Sequence, residues 1–335
     1  MTSTMSFAHR RAGHCGSGSL RDLLEFEGLD YGRGPLTEEM VFGLAGGLGF
    51  FYAPDPSWAP PFYLVGRTDD LERDIADVLD ADLEVKESDD AEQGWAWASE
   101  QLAAGRPAMV RADIAELEYL RVKMSNTRHA ILVVRHDPEA GVVWIADNDR
   151  DELVACSLKS LAAARTSSGF PSPNRNATYV YRWPDQLPDL RVAVTRALTR
   201  AVDNMTGAVV SVGDLPGASG LAGVDAFVSG YERWPDDLPD ALLPAAMSGL
   251  WVFIVKAGTG GAMFRSLHAG FLREAGELLD DSSLRALADH YDRLSAAWVA
   301  LGDCAKTGSH RDGIALARQV GELEHAGVAL MTQMA

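Results

Sequence analysis

The hydrophobic residues of this chain follow two different periods, and the change between them falls near residue 185. In the first part, short apolar runs bounded by turn residues predict strands at 62–66, 107–113, 130–135, 142–146 and 178–182. Helical spacing there predicts helices from Cys15 to about Gly28 and from Ala91 to Ala104. In the second part, apolar stripes with helical spacing run over 190–198, 284–298 and 314–323.

This change of period predicts two domains and an α+β fold class. Trp183–Pro188 contains two prolines, which stop the patterns on both sides, so we place the boundary there. Residues 1–185 give a helix followed by a mostly antiparallel sheet, and residues 186–335 give a mainly helical domain. Asp280–Ser283 is a helix-capping signal before the longest stripe.

Two segments are less regular. Residues 69–92 are rich in Asp and Glu, but Leu71, Ile75 and Val78 recur at helical spacing, so we predict a surface helix with a solvated acidic face. Residues 41–52 are rich in glycine without the strand–helix context of a phosphate loop. We interpret those glycines as allowing close backbone packing beside the helix that begins at Cys15.

Composition excludes several classes of protein. The net charge of −18 over 335 residues argues against binding to nucleic acid or to an anionic membrane, and it suits a cationic small molecule. No apolar run reaches the roughly 18 residues that a membrane-spanning helix needs. Three cysteines make no disulfide framework, so we expect reduced thiols and a cytoplasmic location.

Cys15 is the strongest candidate for chemistry. It precedes a Gly/Ser turn and an apolar helical pattern, with Ser17 or Ser19 as the expected N-cap. Its sulfur would then lie beside free backbone N–H groups at the positive end of a helix dipole, which lowers a thiol pKa. We predict that Cys15 is a nucleophile rather than a small core residue.

His129 and Asp147 are the expected partners of that nucleophile. His129 opens an apolar strand, and Asp147 follows the next strand. A histidine can act as general base toward a thiol, and a carboxylate can hold its imidazole in the correct tautomer. Asn148 is an alternative third member, and an ordinary Asp- and Asn-rich turn is the alternative interpretation of this segment.

Several segments of the chain match motifs of a known family: His14–Ser17 with the following helix, 44–52, Gly105–Pro107 with Asp113 and Tyr119, His129, 259–265 and 271–275. These segments resemble the BtrH-like family, a group we identify within the papain and C39-peptidase-like cysteine enzymes. The resemblance implies a papain-like fold with Cys15, His129 and Asp147 as catalytic residues. It also implies transfer of an acyl or aminoacyl group from a carrier-protein thioester, through acyl-Cys15, to an amine in natural-product biosynthesis.

The chain departs from papain-like enzymes in one respect. Those enzymes usually place a Gln before the nucleophile as an oxyanion-hole donor, and no Gln occurs between Met1 and Cys15. The Cys15 N–H supplies one donor and the second is unknown. Because losing one donor costs about 10²–10³ in rate, we expect a reactive thioester rather than an amide as substrate.

Further residues are expected to contact substrate. His14, Ser17, Asn148 and Arg265 are the predicted substrate-binding residues, with an ordinary surface arginine as the alternative for Arg265. We predict no cofactor and no metal site. The expected partners are an acyl carrier protein or another acyl thioester donor and a small-molecule amine acceptor, and we also consider a homodimer.

Other interpretations of the sequence stay open. An acidic carrier would need a basic docking surface, which Arg106, Arg111, Arg121, Lys123 and Arg128 could supply, unless these are scattered surface charges. The same chemistry would serve a peptide hydrolase or macrocyclase. In a third interpretation the chain is a non-catalytic module that binds a cationic ligand.

Overall fold

The computed structural model describes residues 6–207, 212, 215–256 and 260–335; Thr259, one of the residues behind the family resemblance, lies outside them. The helices are α1 (Cys15–Phe26), α2 (Glu38–Leu44), α3 (Leu71–Val78), α4 (Ala91–Ala103), α5 (Leu158–Thr166), α6 (Leu190–Thr206), α7 (Gly220–Asp237), α8 (Leu243–Trp251), α9 (Arg265–Leu278), α10 (Ser282–Lys306) and α11 (His310–Thr332). A π-helical turn, Val252–Lys256, follows α8.

The strands are β1 (Leu48–Pro54), β2 (Phe62–Arg67), β3 (Asp82–Lys86), β4 (Ala108–Ala112), β5 (His129–Asp137), β6 (Val142–Ala146), β7 (Val154–Ser157), β8 (Thr178–Arg182) and β9 (Ala218–Ser219). Helices and antiparallel strands in the first part, followed by a helical region, confirm the predicted α+β class.

Contacts divide the chain into two compact units. The first comprises Met1–Glu38 and Leu79–Leu187, and the second comprises Glu39–Val78 and Pro188–Ala335. The division after Leu187 lies beside the boundary expected near residue 185. The segment Glu39–Val78 groups with the C-terminal part because its strand β1 pairs with β9, and a contiguous pattern in sequence cannot show such a pairing.

The first unit is built on a six-stranded antiparallel sheet in the order β3-β8-β4-β5-β6-β7. One face carries a core formed with α4 and α5, which includes Val110, Ile131, Val133 and Ile145. Helix α1 packs on β5. Residues 130–134 of β5 are buried one after another, as expected for a strand covered on both faces.

The prediction of one acidic surface helix over 69–92 was wrong. Helix α3 covers Leu71–Val78, Asp82–Lys86 is strand β3, which pairs with β8 in register Asp82 to Arg182, and α4 begins at Ala91. Leu83 and Val85 alternate with charged residues, which is the period of a strand at the edge of a sheet. The ion pair Arg182 Nε–Asp82 Oδ2, 2.9 Å long, supports this register.

The second unit contains a three-stranded antiparallel sheet in the order β2-β1-β9 as well as its helices. The glycine-rich segment 41–52, expected to pack beside α1, instead provides β1 within this unit. Its glycines do serve close packing: a Cβ on Gly49 would lie 2.5 Å from the backbone carbon of Arg67. The glycine pattern predicted close backbone packing in this segment, but it did not predict strand β1.

The helices of the second unit agree with the predicted stripes at α6, α10 and α11. Asp281 caps α10 by accepting hydrogen bonds from the backbone N–H groups of Ser283 and Leu284, as the capping signal predicted. An aromatic cluster, Phe50, Phe227 and Trp298, joins β1 to α7 and α10. In the described part of the chain, no helix is both long and apolar enough to cross a bilayer.

Candidate active site

Helix α1 begins at Cys15, so the thiol sits in its first turn, where backbone N–H groups have no partner within the helix. The N-cap is His14, whose Nδ1 accepts a hydrogen bond of 3.3 Å from the Ser17 N–H. The prediction of Ser17 or Ser19 as N-cap was therefore wrong, because the helix begins earlier than the apolar pattern. The predicted position of Cys15 at a helix start is confirmed.

A buried carboxylate holds the turn that leads into Cys15. Glu38 accepts hydrogen bonds from the backbone N–H groups of Gly13, at 2.7 Å, and His14, at 2.8 Å. It also accepts the Ser17 hydroxyl at 2.9 Å. The sequence analysis missed Glu38, since nothing near it in the chain shows which backbone amides it will meet.

The residues that precede this turn are anchored as well. His9 Nδ1 lies 2.6 Å from Asp22 of α1, and Arg10 pairs with Glu25. Ala12 forms two hydrogen bonds with Asn148: its N–H donates to the Asn148 carbonyl at 2.9 Å, and its own carbonyl accepts the Asn148 amide at 3.3 Å. These bonds fix the start of α1 beside the chain that follows β6.

His129 and Asp147 form the expected pair. His129 Nε2 lies 2.9 Å from each Asp147 carboxylate oxygen and makes its hydrogen bond to Oδ2. The Asp147 side chain is fully buried, and that of His129 is 11% exposed. Asn148 donates to Ala12, so the carboxylate bonded to His129 is that of Asp147.

Cys15 completes the arrangement through a hydrogen bond with the His129 side chain. Burial alone would raise the pKa of the thiol. Electrostatic interactions with His14 and His129, and hydrogen bonds from both rings, outweigh burial and hold the pKa well below its usual value. The structure therefore brings Cys15, His129 and Asp147 together around an activated sulfur.

The same balance sets the pKa of the other two groups. Burial disfavours the charged imidazole, but Asp147 and Cys15 together raise the pKa of His129 well above its ordinary value. Burial would raise the pKa of Asp147, yet His129 and Tyr119 keep it low. The three groups thus favour a thiolate, an imidazolium and a carboxylate.

Tyr119 is a contact that the chemical reasoning missed, although the residue was one of those behind the family resemblance. Its hydroxyl donates to Asp147 Oδ2 at 2.8 Å, and the Arg150 guanidinium lies 4.8 Å from its ring centroid. Burial and the neighbouring Asp147 raise the pKa of Tyr119, so it remains a hydrogen-bond donor. Asp147 is therefore held by two donors at once.

Asp113 organises the loop that ends at His129. Its carboxylate accepts the hydroxyls of Ser125 and Ser167, each at 2.7 Å, and the backbone N–H groups of Ala115 and Asn126, each at 3.0 Å. Burial opposes its ionisation, but these four donors lower its pKa. The loop thereby enters β5 in a fixed conformation.

Ser17 and Asn148, two of the predicted substrate-binding residues, are engaged by other protein groups. Ser17 is fully buried and hydrogen-bonds with His14 and Glu38, and the Asn148 amide donates to the Ala12 carbonyl. His14 caps α1, and its side chain also interacts with the Cys15 sulfur. Contact of these three residues with substrate stays a prediction.

Arg265 is neither a substrate contact nor a surface arginine. It is fully buried in the second unit and forms a two-pronged pair with Glu324, at 2.7 and 3.0 Å. Its Nη1 donates to the carbonyls of Gly49, Gly66 and Met263. The prediction for Arg265 was wrong because all three of its nitrogens are engaged within the core.

Among the described residues, no cluster of three or more His, Cys, Asp and Glu side chains could hold a metal ion. The groups that meet at this site are the thiol of Cys15, the imidazole of His129 and the carboxylate of Asp147. Such a set defines a cysteine-triad geometry, suited to nucleophilic attack on an acyl carbon.

The chain belongs to the BtrH-like family. Residues 14–148 match the family model described as butirosin biosynthesis protein H, N-terminal, and this range includes Cys15, His129 and Asp147. Residues 159–333 match a second model, a domain of unknown function named DUF4872. A search of curated proteins finds no match. The resemblance to papain and C39 enzymes stays a prediction.

Proposed function

We propose that this protein is a cysteine-dependent acyltransferase that moves an acyl or aminoacyl group from a thioester to an amine in biosynthesis. The observation that carries the proposal is the sulfur of Cys15 hydrogen-bonded to His129, which is paired with the buried Asp147. The family model named for a butirosin biosynthesis protein supports a role in biosynthesis. We expect a cytoplasmic protein.

The transfer would take place in two balanced steps. In the first, the Cys15 thiolate forms a bond to the thioester carbonyl carbon, the donor C–S bond breaks, and the leaving thiolate takes the proton of the His129 imidazolium. In the second, an amine attacks acyl-Cys15, His129 accepts the amine proton, and the Cys15 thiolate is released. Asp147 keeps the imidazole oriented and stabilises its charged form in both.

A carrier protein is the donor that the surface of the first unit favours. Of the five basic residues considered for docking, Arg121, Lys123 and Arg128 lie on the loop just before β5, and Arg121 and Lys123 are exposed. Between them stand Val122 and Met124, which are 37% and 66% exposed. We name Arg121–Met124 the docking segment.

Phe170, also exposed, is tied to the same loop. Its carbonyl accepts the Thr127 N–H and hydroxyl, and its N–H donates to the Ser125 hydroxyl. A basic, partly apolar surface on a chain of net charge −18 complements an acidic protein with exposed apolar residues. Because the loop ends at His129, a carrier bound to the docking segment would contact residues that lie shortly before the general base in the sequence.

The chemistry is tested by acylation of the thiol. We expect intact-protein mass spectrometry to show one acyl group on Cys15 after exposure to an acyl thioester, and amide product once an amine is added. Cys15→Ala should abolish both. Cys304→Ala is the matched control, since burial raises the pKa of Cys304, and this variant should react like wild type. Wild-type transfer by Cys15→Ala contradicts the proposal.

The docking segment is tested by reversing one charge. Lys123→Glu should raise the KM for a carrier-bound thioester about tenfold, because it adds repulsion against an acidic partner. The KM for a small acyl thioester such as an N-acetylcysteamine ester should not change. Lys159→Glu makes the same charge change on α5 and should alter neither. Equal effects of both variants on the carrier substrate would rule out this surface.

The alternatives give different results in the same assays. A peptide hydrolase or macrocyclase would release acid or cyclic product without an added amine. A non-catalytic binding module would show an ordinary thiol, whose iodoacetamide alkylation rises with a pKa near about 8.5. For the proposed enzyme, alkylation of Cys15 should already be near its plateau well below that pH, while alkylation of Cys304, whose pKa is raised by burial, should rise only at higher pH in the same sample.

A further inference from the structure

We propose that the His14 ring, through its Nε2–H, is the second oxyanion-hole donor of this site. The inference rests on the proposed acyl-transfer function and names a residue that takes part in it. The His14 ring would take the role of the Gln that papain-like enzymes place before the nucleophile and that this chain lacks. His14 directly precedes the nucleophile, is 5% exposed, and its side chain interacts with the Cys15 sulfur.

The helix cap decides which ring nitrogen of His14 carries the proton. The backbone N–H of Ser17 points at Nδ1, at 3.3 Å, and its direction is fixed by α1. A proton on Nδ1 would oppose that N–H. The Ser17 hydroxyl can rotate, and it donates to Glu38 at 2.9 Å. Nδ1 is therefore an acceptor, and the proton of the neutral ring sits on Nε2.

The remaining N–H of His14 belongs to a ring that interacts with the sulfur. The His14 side chain makes a hydrogen bond with Cys15, and with Nδ1 engaged by Ser17, Nε2–H is the donor for it. Glu38 accepts the backbone N–H of both Gly13 and His14, which keeps the ring in this position. When an acyl group bonds to this sulfur, its carbonyl oxygen therefore lies near the His14 ring.

The two histidines thereby take different parts in one step. As the Cys15 sulfur bonds to the carbonyl carbon, the carbonyl π pair moves to oxygen, and the Cys15 N–H and His14 Nε2–H donate to that oxyanion. When the C–S bond of the donor breaks, the oxygen pair re-forms the carbonyl and His129 gives its proton to the leaving sulfur. His14 loses no proton, so the two roles are compatible.

The test compares two reagents on one thiolate. Acylation by an acyl N-acetylcysteamine thioester or by p-nitrophenyl acetate forms an oxyanion, whereas alkylation by iodoacetamide, a displacement at a saturated carbon, forms none. Both rates are measured on the pH plateau, where the thiol is ionised in every variant. His14→Ser keeps a side-chain oxygen to cap α1 and removes the ring.

We expect His14→Ser to lower the acylation rate of Cys15 by about 10²–10³-fold and the plateau alkylation rate by less than about threefold. His290→Ser is the matched control: it removes a buried histidine of the second unit, bonded to the Leu323 carbonyl, and should leave the ratio of the two rates unchanged. Circular dichroism confirms that each variant is folded.

Two outcomes overturn the inference. In the first, the wild-type protein accepts an acyl group, but His14→Ser lowers acylation and alkylation equally or lowers neither. His14 then only caps the helix or tunes the thiol, and this inference alone is overturned. In the second, the wild-type protein accepts no acyl group from either reagent, which overturns the proposed function as well.

Discussion

The two units of this protein each bury a cluster of charged side chains, and the two clusters differ in whether their protons can move. In the second unit, Arg265 and Glu324 are both essentially unexposed and joined at 2.7 Å, and the Trp298 N–H also donates to Glu324. In the first unit, His129 and Asp147 are paired at 2.9 Å, and Cys15 lies against them.

The difference lies in the titrating groups. A guanidinium keeps its charge at any ordinary pH, so the Arg265 cluster can only hold the fold. A thiol and an imidazole exchange a proton at neutral pH when their surroundings shift both pKa values. Burial of charge thus indicates chemistry only where a proton has two alternative positions.

The largest expected effect is that of Asp147→Asn. An amide can hold the His129 ring but cannot stabilise its positive charge, so the acyl-transfer rate should fall by about 10³–10⁴-fold. The alkylation profile of Cys15 should also move to higher pH, because a less stable imidazolium raises the thiol pKa. Asp149→Asn, which removes the charge paired with the neighbouring Arg150, is the control. A loss below tenfold in Asp147→Asn would remove the carboxylate from the mechanism.

The second effect falls on stability instead of rate. Arg265→Met should destabilise the protein by about 3–5 kcal/mol in urea unfolding, since it leaves Glu324 buried without its partner. Arg273→Met breaks the exposed pair with Asp292 and should cost less than about 1 kcal/mol. Below the unfolding transition, Cys15 alkylation should match wild type in both. Similar costs for the two variants would contradict a structural role for the buried pair.

Asp74 provides a titrating group within the second unit. Burial raises its pKa to about 6, while Thr68 and Arg200 act in the opposite direction. Because the folded carboxyl binds its proton more tightly than an unfolded one near about 3.9, its stabilising contribution is complete below that pH and is lost as the pH rises through 6. Wild type should lose about 2 kcal/mol between pH 4.5 and 7.5 relative to Asp74→Asn. Parallel pH profiles for the two proteins would contradict the raised pKa.

The smallest effect is that of Tyr119→Phe. Removing one of the two donors to Asp147 should raise the pKa of that carboxylate and loosen the His129 ring, which lowers the transfer rate about tenfold, the equivalent of roughly 1.4 kcal/mol. Tyr231→Phe, which removes a hydroxyl that donates to the His310 carbonyl in the second unit, should leave the rate unchanged. An effect as large as that of Asp147→Asn would mean that Tyr119 has a direct part in the reaction.

The sequence predicted what local patterns determine. Alternating or continuous apolar runs located β4, β5, β6 and β8, and a cysteine before a Gly/Ser turn located the start of α1. Strand β3 was missed because it lies in the same acidic segment, 69–92, as the short helix α3. The helical spacing of the apolar residues in α3 was extended over the whole segment.

The residues that support Cys15, His129 and Asp147 could not be predicted from local patterns. Glu38, Asp113 and Tyr119 act through contacts with residues far along the chain, and no local pattern shows such contacts. The prediction for Arg265 was wrong for the same reason: its glycine-rich surroundings suggested a loop, while its burial depends on Glu324, which lies 59 residues further along the chain.

The paired hydrogen bonds between Ala12 and Asn148 set the distance between the reacting groups. Cys15 follows Ala12 by three residues, and Asp147 directly precedes Asn148. Side-chain substitutions leave both lengths unchanged, but an added or deleted residue between Ala12 and Cys15 shifts the thiol relative to the imidazole. The spacing of this short stretch is therefore a stricter requirement than the identity of any residue in it except the cysteine and its capping histidine.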